Sequence, residues 1–179
     1  MNDDRETVIL VDAEDREIGT LGKLEAHLQG KRHRAISVCV TNPRGDMLLQ
    51  RRALGKYHSG GLWTNACCTH PRIGEEVADA AFRRLKEELG VECRLSFLCV
   101  THYRADVGAD LVEDEIVHMF HGEFDGVPCP DASEVMEYAW LSRRDLIADV
   151  ARRPDSYTYW FRHYLRHHED EIFQGAACP

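Results

Sequence analysis

Residues 75–89 constrain the fold more than any other segment. Val77, Ala80, Ala81, Leu85 and Leu89 recur at helical spacing, and Gly90 follows as a left-handed stop, so the spacing predicts a helix with one apolar stripe. Such a stripe must be laid on another apolar surface, and the segments on either side read as strands. Residues 7–11 and 35–40 are short apolar or alternating runs. Asn42-Pro43-Arg44-Gly45 is a turn, after which residues 47–51 are expected to pair back as a hairpin. Residues 56–62, with Ser59-Gly60-Gly61, read as loop, and further strands are expected near 94–103, 115–124 and 138–141. Residues 21–28 have mixed helical character and carry Lys23 and His27. The remaining helices are 142–150 and the aromatic-rich 155–168, while 170–179 is uninformative. Strands before and after a central helix imply one α/β domain over 1–179, a sandwich on a mixed, largely antiparallel sheet.

Hydrophobic residues make up 44% of the chain and charged residues 30%, the balance of a soluble globular protein. No apolar run approaches the roughly 20 residues that span a bilayer, so no membrane role is expected. Met1-Asn2-Asp3-Asp4-Arg5-Glu6 has neither the basic start nor the apolar centre of a secretory signal. Seven cysteines without a paired Cys-x-x-Cys spacing point to reduced thiols in the cytoplasm, not to a disulfide framework or zinc ribbon. A formal net charge of -9 disfavours nucleic acid as a partner. A small anion is compatible, because it needs only a local group of cations. Arg51, Arg52 and Lys56 lie together and Arg83-Arg84 form a second pair, although solvated faces account for most such groups.

Leu62-Trp63-Thr64-Asn65-Ala66-Cys67-Cys68-Thr69-His70-Pro71 sets a thiol, an imidazole and an indole beside a Gly-rich turn. Further on, Glu113-Asp114-Glu115 offers two carboxylates at alternate positions, on one face of an extended segment, with Asp114 turned away. A thiol set against a carboxylate can add a proton at one carbon and remove one from another. Free cysteine also behaves as a small hydrophobe. That simpler account suits Cys67 better than Cys68, which stands two residues before His70. In an extended segment the adjacent thiols point to opposite sides.

Arg83-Arg84-Leu85-Lys86-Glu87-Glu88-Leu89-Gly90-Val91 resembles the second half of a Nudix box, Gly-x5-Glu-x7-Arg-Glu-U-x-Glu-Glu-x-Gly-U, with U a bulky aliphatic residue. Glu75, Arg83, Leu85, Glu87, Glu88, Gly90 and Val91 match; Thr69 replaces the first glycine and Arg84 a glutamate. In Nudix hydrolases the helix carboxylates hold Mg²⁺ that activates water against a diphosphate. A cation among them removes a ligand and repels metal. The altered box implies a Nudix-type fold that grips a metal diphosphate without efficient hydrolysis. Taken alone, it reads better as an ordinary helix with a Glu-rich surface and Arg84 paired to Glu88. It does not stand alone. Glu25-Ala26-His27, His33-Arg34-Ala35, Arg51-Arg52-Ala53-x-x-Lys56, Trp63-Thr64-Asn65-x-x-Cys68-x-His70-Pro71, Tyr103-Arg104 and Glu113-x-Glu115 accompany it. In this order and spacing the chain resembles type I isopentenyl diphosphate isomerases, a Nudix-fold family, from about residue 8 to 160. Arg32 stands where an aliphatic residue is common in that family.

The resemblance implies a metal-dependent isomerase that interconverts isopentenyl and dimethylallyl diphosphate. Cys68 and Glu115 would exchange the protons, with Tyr103 assisting on the carboxylate side. Trp160 would offer its π face to a cation-like state, or else be a core anchor among Tyr157, Tyr159 and Phe161. His27, His33, His70, Glu113 and Glu115 would bind Mn²⁺, Mg²⁺ or Zn²⁺. A further Mg²⁺ would arrive with the diphosphate, held by Glu88 and the Cys68 main-chain carbonyl. Lys23, Arg52, Lys56 and Arg84 would meet the remaining diphosphate charge. His58, His102, His118, His121, His163, His167 and His168 read as structural. The expected partner is a small isoprenoid diphosphate, and the expected state a monomer or weak homodimer. A Nudix diphosphate hydrolase and an inactive Nudix binding module are the rival readings; the thiol, carboxylate and metal-ligand set opposes both.

Overall fold

Strand β3 (His33–Thr41) is the hub of the computed structural model, which describes residues 7–175. Along one edge it pairs in parallel with β8 (Leu111–Glu123), from His33 opposite Glu115 to Thr41 opposite Glu123. Along the other it meets β1 (Thr7–Val11) at His33, β6 (Cys67–Thr69) at residues 36–38, and β4 (Met47–Arg52) at Thr41. β1 carries β2 (Glu17–Gly22), β4 carries β5 (Trp63–Thr64) and β9 (Val135–Leu141), and β7 (Leu95–Gly108) folds back on β8. Among the described residues every pairing between these strands except β3 with β8 is antiparallel, so the sheet is mixed and largely antiparallel.

Alternate residues of β3 enter two cores, one on each face of the sheet. Ile36, Val38 and Val40 join Cys67, Phe120 and the stripe Ala80, Ala81, Leu85 and Leu89 of α2 (Val77–Leu89). Full burial of a leucine such as Leu85 contributes about 2 kcal/mol, which is how a charged helix is held down by one stripe. Ala35 and Cys39 join Met47, Leu49, Met119 and the aromatic side of α4 (Tyr159–Gln174), namely Trp160, Phe161 and Tyr164. α3 (Arg143–Arg152) adds Leu146, and the short α1 (Lys23–Gln29) rests against β8, closed by Gly30 at φ 58°.

Some expectations change. Residues 47–51 share only the Thr41–Met47 pair with β3, because Cys67–Thr69 occupies that edge; β4 runs instead along β9. β2 leaves no sequence signal, since none of its residues is fully buried. The segments near 94–103 and 115–124 extend into one long hairpin, turning at Ala109 and Asp110 with φ of 54° and 59°. The last helix runs on through residues read as uninformative and buries Ile172, with a non-helical step at His168 (φ -138°, ψ 24°). The N-terminal hexapeptide and residues 176–179 lie outside the described residues. Among the described residues no helix is long and apolar enough to cross a membrane.

Candidate active site

Strand register gathers the scattered motifs at one end of β3. His33 opens that strand opposite Glu115, and Glu115 in turn stands opposite Tyr103. α1 adds His27, and the chain leaving β6 adds His70. Ring centroids of His27 and His33, and of His33 and His70, are 4.9 Å apart. Ligand atoms of His27, His33, His70 and Glu115 all lie within 4.8 Å of one another. The rings are aimed from behind. His27 Nδ1 donates to the Lys23 carbonyl and His33 Nδ1 to the Lys31 carbonyl, both at 2.7 Å, so each Nε2 lone pair faces the group. Burial, helped by His33, holds His27 below its ordinary pKa, and burial holds His70 at about 3. Both rings are therefore neutral, the form that binds metal. His33 Nε2 and His70 Nδ1 are buried without a hydrogen-bond partner. His33 Nε2 also faces Glu115 Oε1 at 3.4 Å, and two lone pairs at that distance call for a cation between them. A divalent ion fits this donor set.

Glu113 shares the face of Glu115, while Asp114 turns away to accept from Arg32 and His102, each at 2.9 Å. The unusual Arg32 thus has a partner. Tyr103 Oη lies 2.8 Å from Oε2 of both Glu113 and Glu115, yet one phenol has one proton. The arrangement closes if Glu113 carries a proton and donates to Tyr103, which donates to Glu115. Charge shifts agree. Burial and then the Glu115 charge push Glu113 well above the ordinary range. Burial pushes Glu115 the same way, but the His33 and His70 rings that face it prevail and hold it well below. The pair is one acid and one carboxylate; a bound cation would ionise both.

One cavity is lined by Cys68, His70, Tyr103, Glu113, Glu115 and Trp160, and by the cations Lys23, Arg52, Lys56 and Arg84. Alternation along β6 sends Cys67 into the α2 core and Cys68 to the cavity. Burial raises the Cys68 thiol to about 12, so it keeps its proton at neutral pH. The Lys23 ammonium stands 5.1 Å from the Tyr57 ring centre and the Arg52 guanidinium 5.3 Å from that of Trp160. Trp160, 2% exposed, is therefore core anchor and cavity wall at once. Lys56 pairs with Glu134, and Arg84 with Glu88 at 2.6 Å and Glu87 at 2.9 Å. Arg84 is thus the helix partner of Glu88 and a cavity cation together. Glu88 lies behind it, its other oxygen accepting from Gln50 at 2.8 Å, so a cation shared with a ligand would compete with both. Glu75 and Arg83, which match the Nudix box, hold each other at 2.7 and 2.8 Å and brace the loop before α2. His58, read from sequence as structural, belongs here: its Nε2 is 3.3 Å from Glu113 Oε1, and it groups with His27 and Glu113. Nothing in the spacing around His58 signals this, because its place depends on how the Gly-rich loop folds over the cavity.

Residues 31–163 match the NUDIX domain family. Isopentenyl-diphosphate Delta-isomerase 2 of Aromatoleum aromaticum is 48% identical over 153 residues, 86% of this chain and 81% of that one. The chain belongs to the isopentenyl-diphosphate Delta-isomerase family. Isopentenyl-diphosphate Delta-isomerases of Burkholderia multivorans and a Jannaschia species are 47% and 49% identical, each across 87% of this chain and 89% of its own. Among solved structures, a MutT protein from Methanosarcina mazei aligns with a TM-score of 0.65 at 17% identity, covering 78% of this chain and 94% of its own. A MutT NUDIX hydrolase from Burkholderia pseudomallei aligns with a TM-score of 0.61 at 21% identity, covering 76% and 98%. These likenesses are of fold alone.

Proposed function

We propose that this protein interconverts isopentenyl diphosphate and dimethylallyl diphosphate. The observation that carries the reading is the placement of a protonated thiol, Cys68, and a phenol-linked carboxylate, Glu115, on one cavity with four cationic side chains. Moving the double bond requires a proton at the terminal carbon and loss of one from C2, through a state with positive charge on the branched carbon. Cys68 and the Glu115–Tyr103 pair supply the two sites, and the group that gives a proton in one direction receives it in the other. The Trp160 ring faces that developing charge. Lys23, Arg52, Lys56 and Arg84 hold the diphosphate, which fixes the short alkene between the proton-transfer groups and keeps water out.

His27, His33, His70 and Glu115, with Glu113 and His58 beside them, would hold a divalent ion whose charge keeps both glutamates ionised and makes the Tyr103 phenol a better proton donor. Mixed imidazole and carboxylate donors suit Zn²⁺ or Mn²⁺ better than Mg²⁺. Glu88 and the Cys68 main-chain carbonyl would hold a separate Mg²⁺ with the diphosphate, Glu88 then giving up part of its contact with Arg84 and Gln50. The chain acts as one catalytic domain, and the cysteines among the described residues, which form no disulfide, favour a reducing cytoplasm. The test is turnover in D₂O with isopentenyl diphosphate and Mg²⁺. Deuterium should enter the new methyl group of dimethylallyl diphosphate with no phosphate or pyrophosphate released. Release outrunning isomerisation would make the protein a hydrolase; binding with neither outcome would make it a binding module.

A further inference from the structure

Thr64 and Asn65 have no part in the mechanism above, yet both are fully buried beside Cys68. Their hydrogen bonds can run in one order only. Asn65 Nδ2 lies 2.9 Å from the Val38 carbonyl, 3.0 Å from the Cys67 carbonyl and 2.9 Å from the Ser37 hydroxyl. Carbonyls only accept, so the amide nitrogen must point there and Oδ1 the other way. Oδ1 then accepts from Thr64 Oγ1 at 3.0 Å and from Cys68 Sγ at 3.2 Å. The Thr64 hydroxyl, its one proton given to Asn65, accepts from Trp160 Nε1 at 2.8 Å and Thr158 Oγ1 at 3.1 Å. The backbone is tied at the same place: Thr158 N–H donates to the Trp63 carbonyl at 2.9 Å, and Trp63 bridges Tyr157. Ser37 Oγ, 3.4 Å from Cys68 Sγ, completes the setting of the thiol.

We infer that Thr64 and Asn65 are positioning residues that hold the Cys68 thiol and the Trp160 indole as one unit. Trp160 N–H gives to Thr64, Thr64 gives to Asn65 Oδ1, and Cys68 S–H gives to that same oxygen. The thiol stands on β6 and the indole on α4, so without this chain the proton-transfer group and the π face would be set by independent packing. The functional purpose of the chain rests on the isomerase reading; its existence does not. A chain of this kind constrains orientation, so its loss falls on kcat more than on binding.

Thr64→Val keeps the shape of the side chain and removes the hydroxyl, while Thr64→Ser restores the hydroxyl without the methyl. Thr64→Val should lower kcat about 10- to 100-fold with KM for isopentenyl diphosphate changed by no more than about 2-fold. Thr64→Ser should stay within about 3-fold of the parent kcat. Thr64→Ala serves the same purpose if the valine variant does not fold. A second readout needs no turnover. The indole N–H resonance of Trp160, assigned among the three tryptophans by its loss in Trp160→Phe, should move upfield in Thr64→Val and return in Thr64→Ser. Parent-like kcat in Thr64→Val, or an unmoved indole signal, overturns the inference. Equal losses in the valine and serine variants also overturn it, because they mark Thr64 as packing alone. An inactive parent whose indole signal responds as described would sink the isomerase reading and leave the hydrogen-bonded chain standing.

Discussion

Cys67 and Cys68 are chemically identical neighbours, and the pleat of β6 gives them different surroundings. Cys67 meets the α2 stripe, and Cys68 meets the cavity. Cys68→Ala should lose at least the 10²–10⁴-fold in kcat typical of a proton-transfer group, roughly, since an unactivated alkene is hard to protonate. Cys67→Ala should keep most activity and cost about 1 kcal/mol of stability, the usual size for trimming a small buried side chain. Steady-state rates and denaturant unfolding read these outcomes, and peptide mapping after an electrophilic substrate analogue should find the label on Cys68. Label on Cys67, or normal turnover by Cys68→Ala, would remove the catalytic assignment. That the two thiols face opposite sides was legible in the sequence, because alternation along a strand needs no tertiary information. His58 was not legible, since it lies in a loop without periodicity and reaches Glu113 only through the folded path of that loop.

Helix α2 shows what a periodic element reveals in advance and what it hides. Its stripe, its stop and its Arg84–Glu88 pair follow from spacing alone. Its neighbours do not: the turn at residues 42–45 correctly announced a reversal, but the short β6 competed for the same edge of β3 and won it. Arg84→Glu would restore one position of the Nudix box while setting a carboxylate against Glu87, Glu88 and Glu134. We expect a raised KM for isopentenyl diphosphate, slower isomerisation and at most slight hydrolysis; an unchanged KM would take Arg84 out of the diphosphate group. Helix α3 makes a different point through its end. Asp149 accepts from Arg153, Tyr157 and Arg152, which hold its carboxyl well below the usual carboxylate range. A folded-state pKa below the unfolded one stabilises above the unfolded value, near 3.9, and that stability is lost as pH falls through the folded value. Asp149→Asn should therefore unfold more easily than the parent at pH 7, with the gap closing below about pH 4. A gap that stays constant down to pH 2 would show that the ion pairs contribute nothing.

Across the whole molecule, the histidine–glutamate group proposed to bind metal exists only when distant strands are paired correctly. His33 finds Glu115 through the parallel β3–β8 ladder, and Tyr103 finds Glu115 through the long hairpin. An ion bound by the folded chain alone stabilises it by mass action, about 2.7 kcal/mol at a hundredfold excess over Kd. Chelation should thus abolish activity and lower Tm together. His27→Ala, His33→Ala and His70→Ala should each bind metal more weakly in equilibrium dialysis and lose part of the Tm shift. Full metal stoichiometry in all three variants would make these histidines structural. The β3–β8 ladder carries a further consequence for how the protein is made. Side chains alternate with period two, so a slip of one residue would turn Glu115 to the opposite face and leave His33 facing the wrong neighbour. Strands, turns and helices could all form in such a chain, and it would still have nowhere to put its ion. With the ion bound as proposed, metal content per chain would report strand register, and a molecule zipped one notch off would forgo the Tm shift that the ion confers.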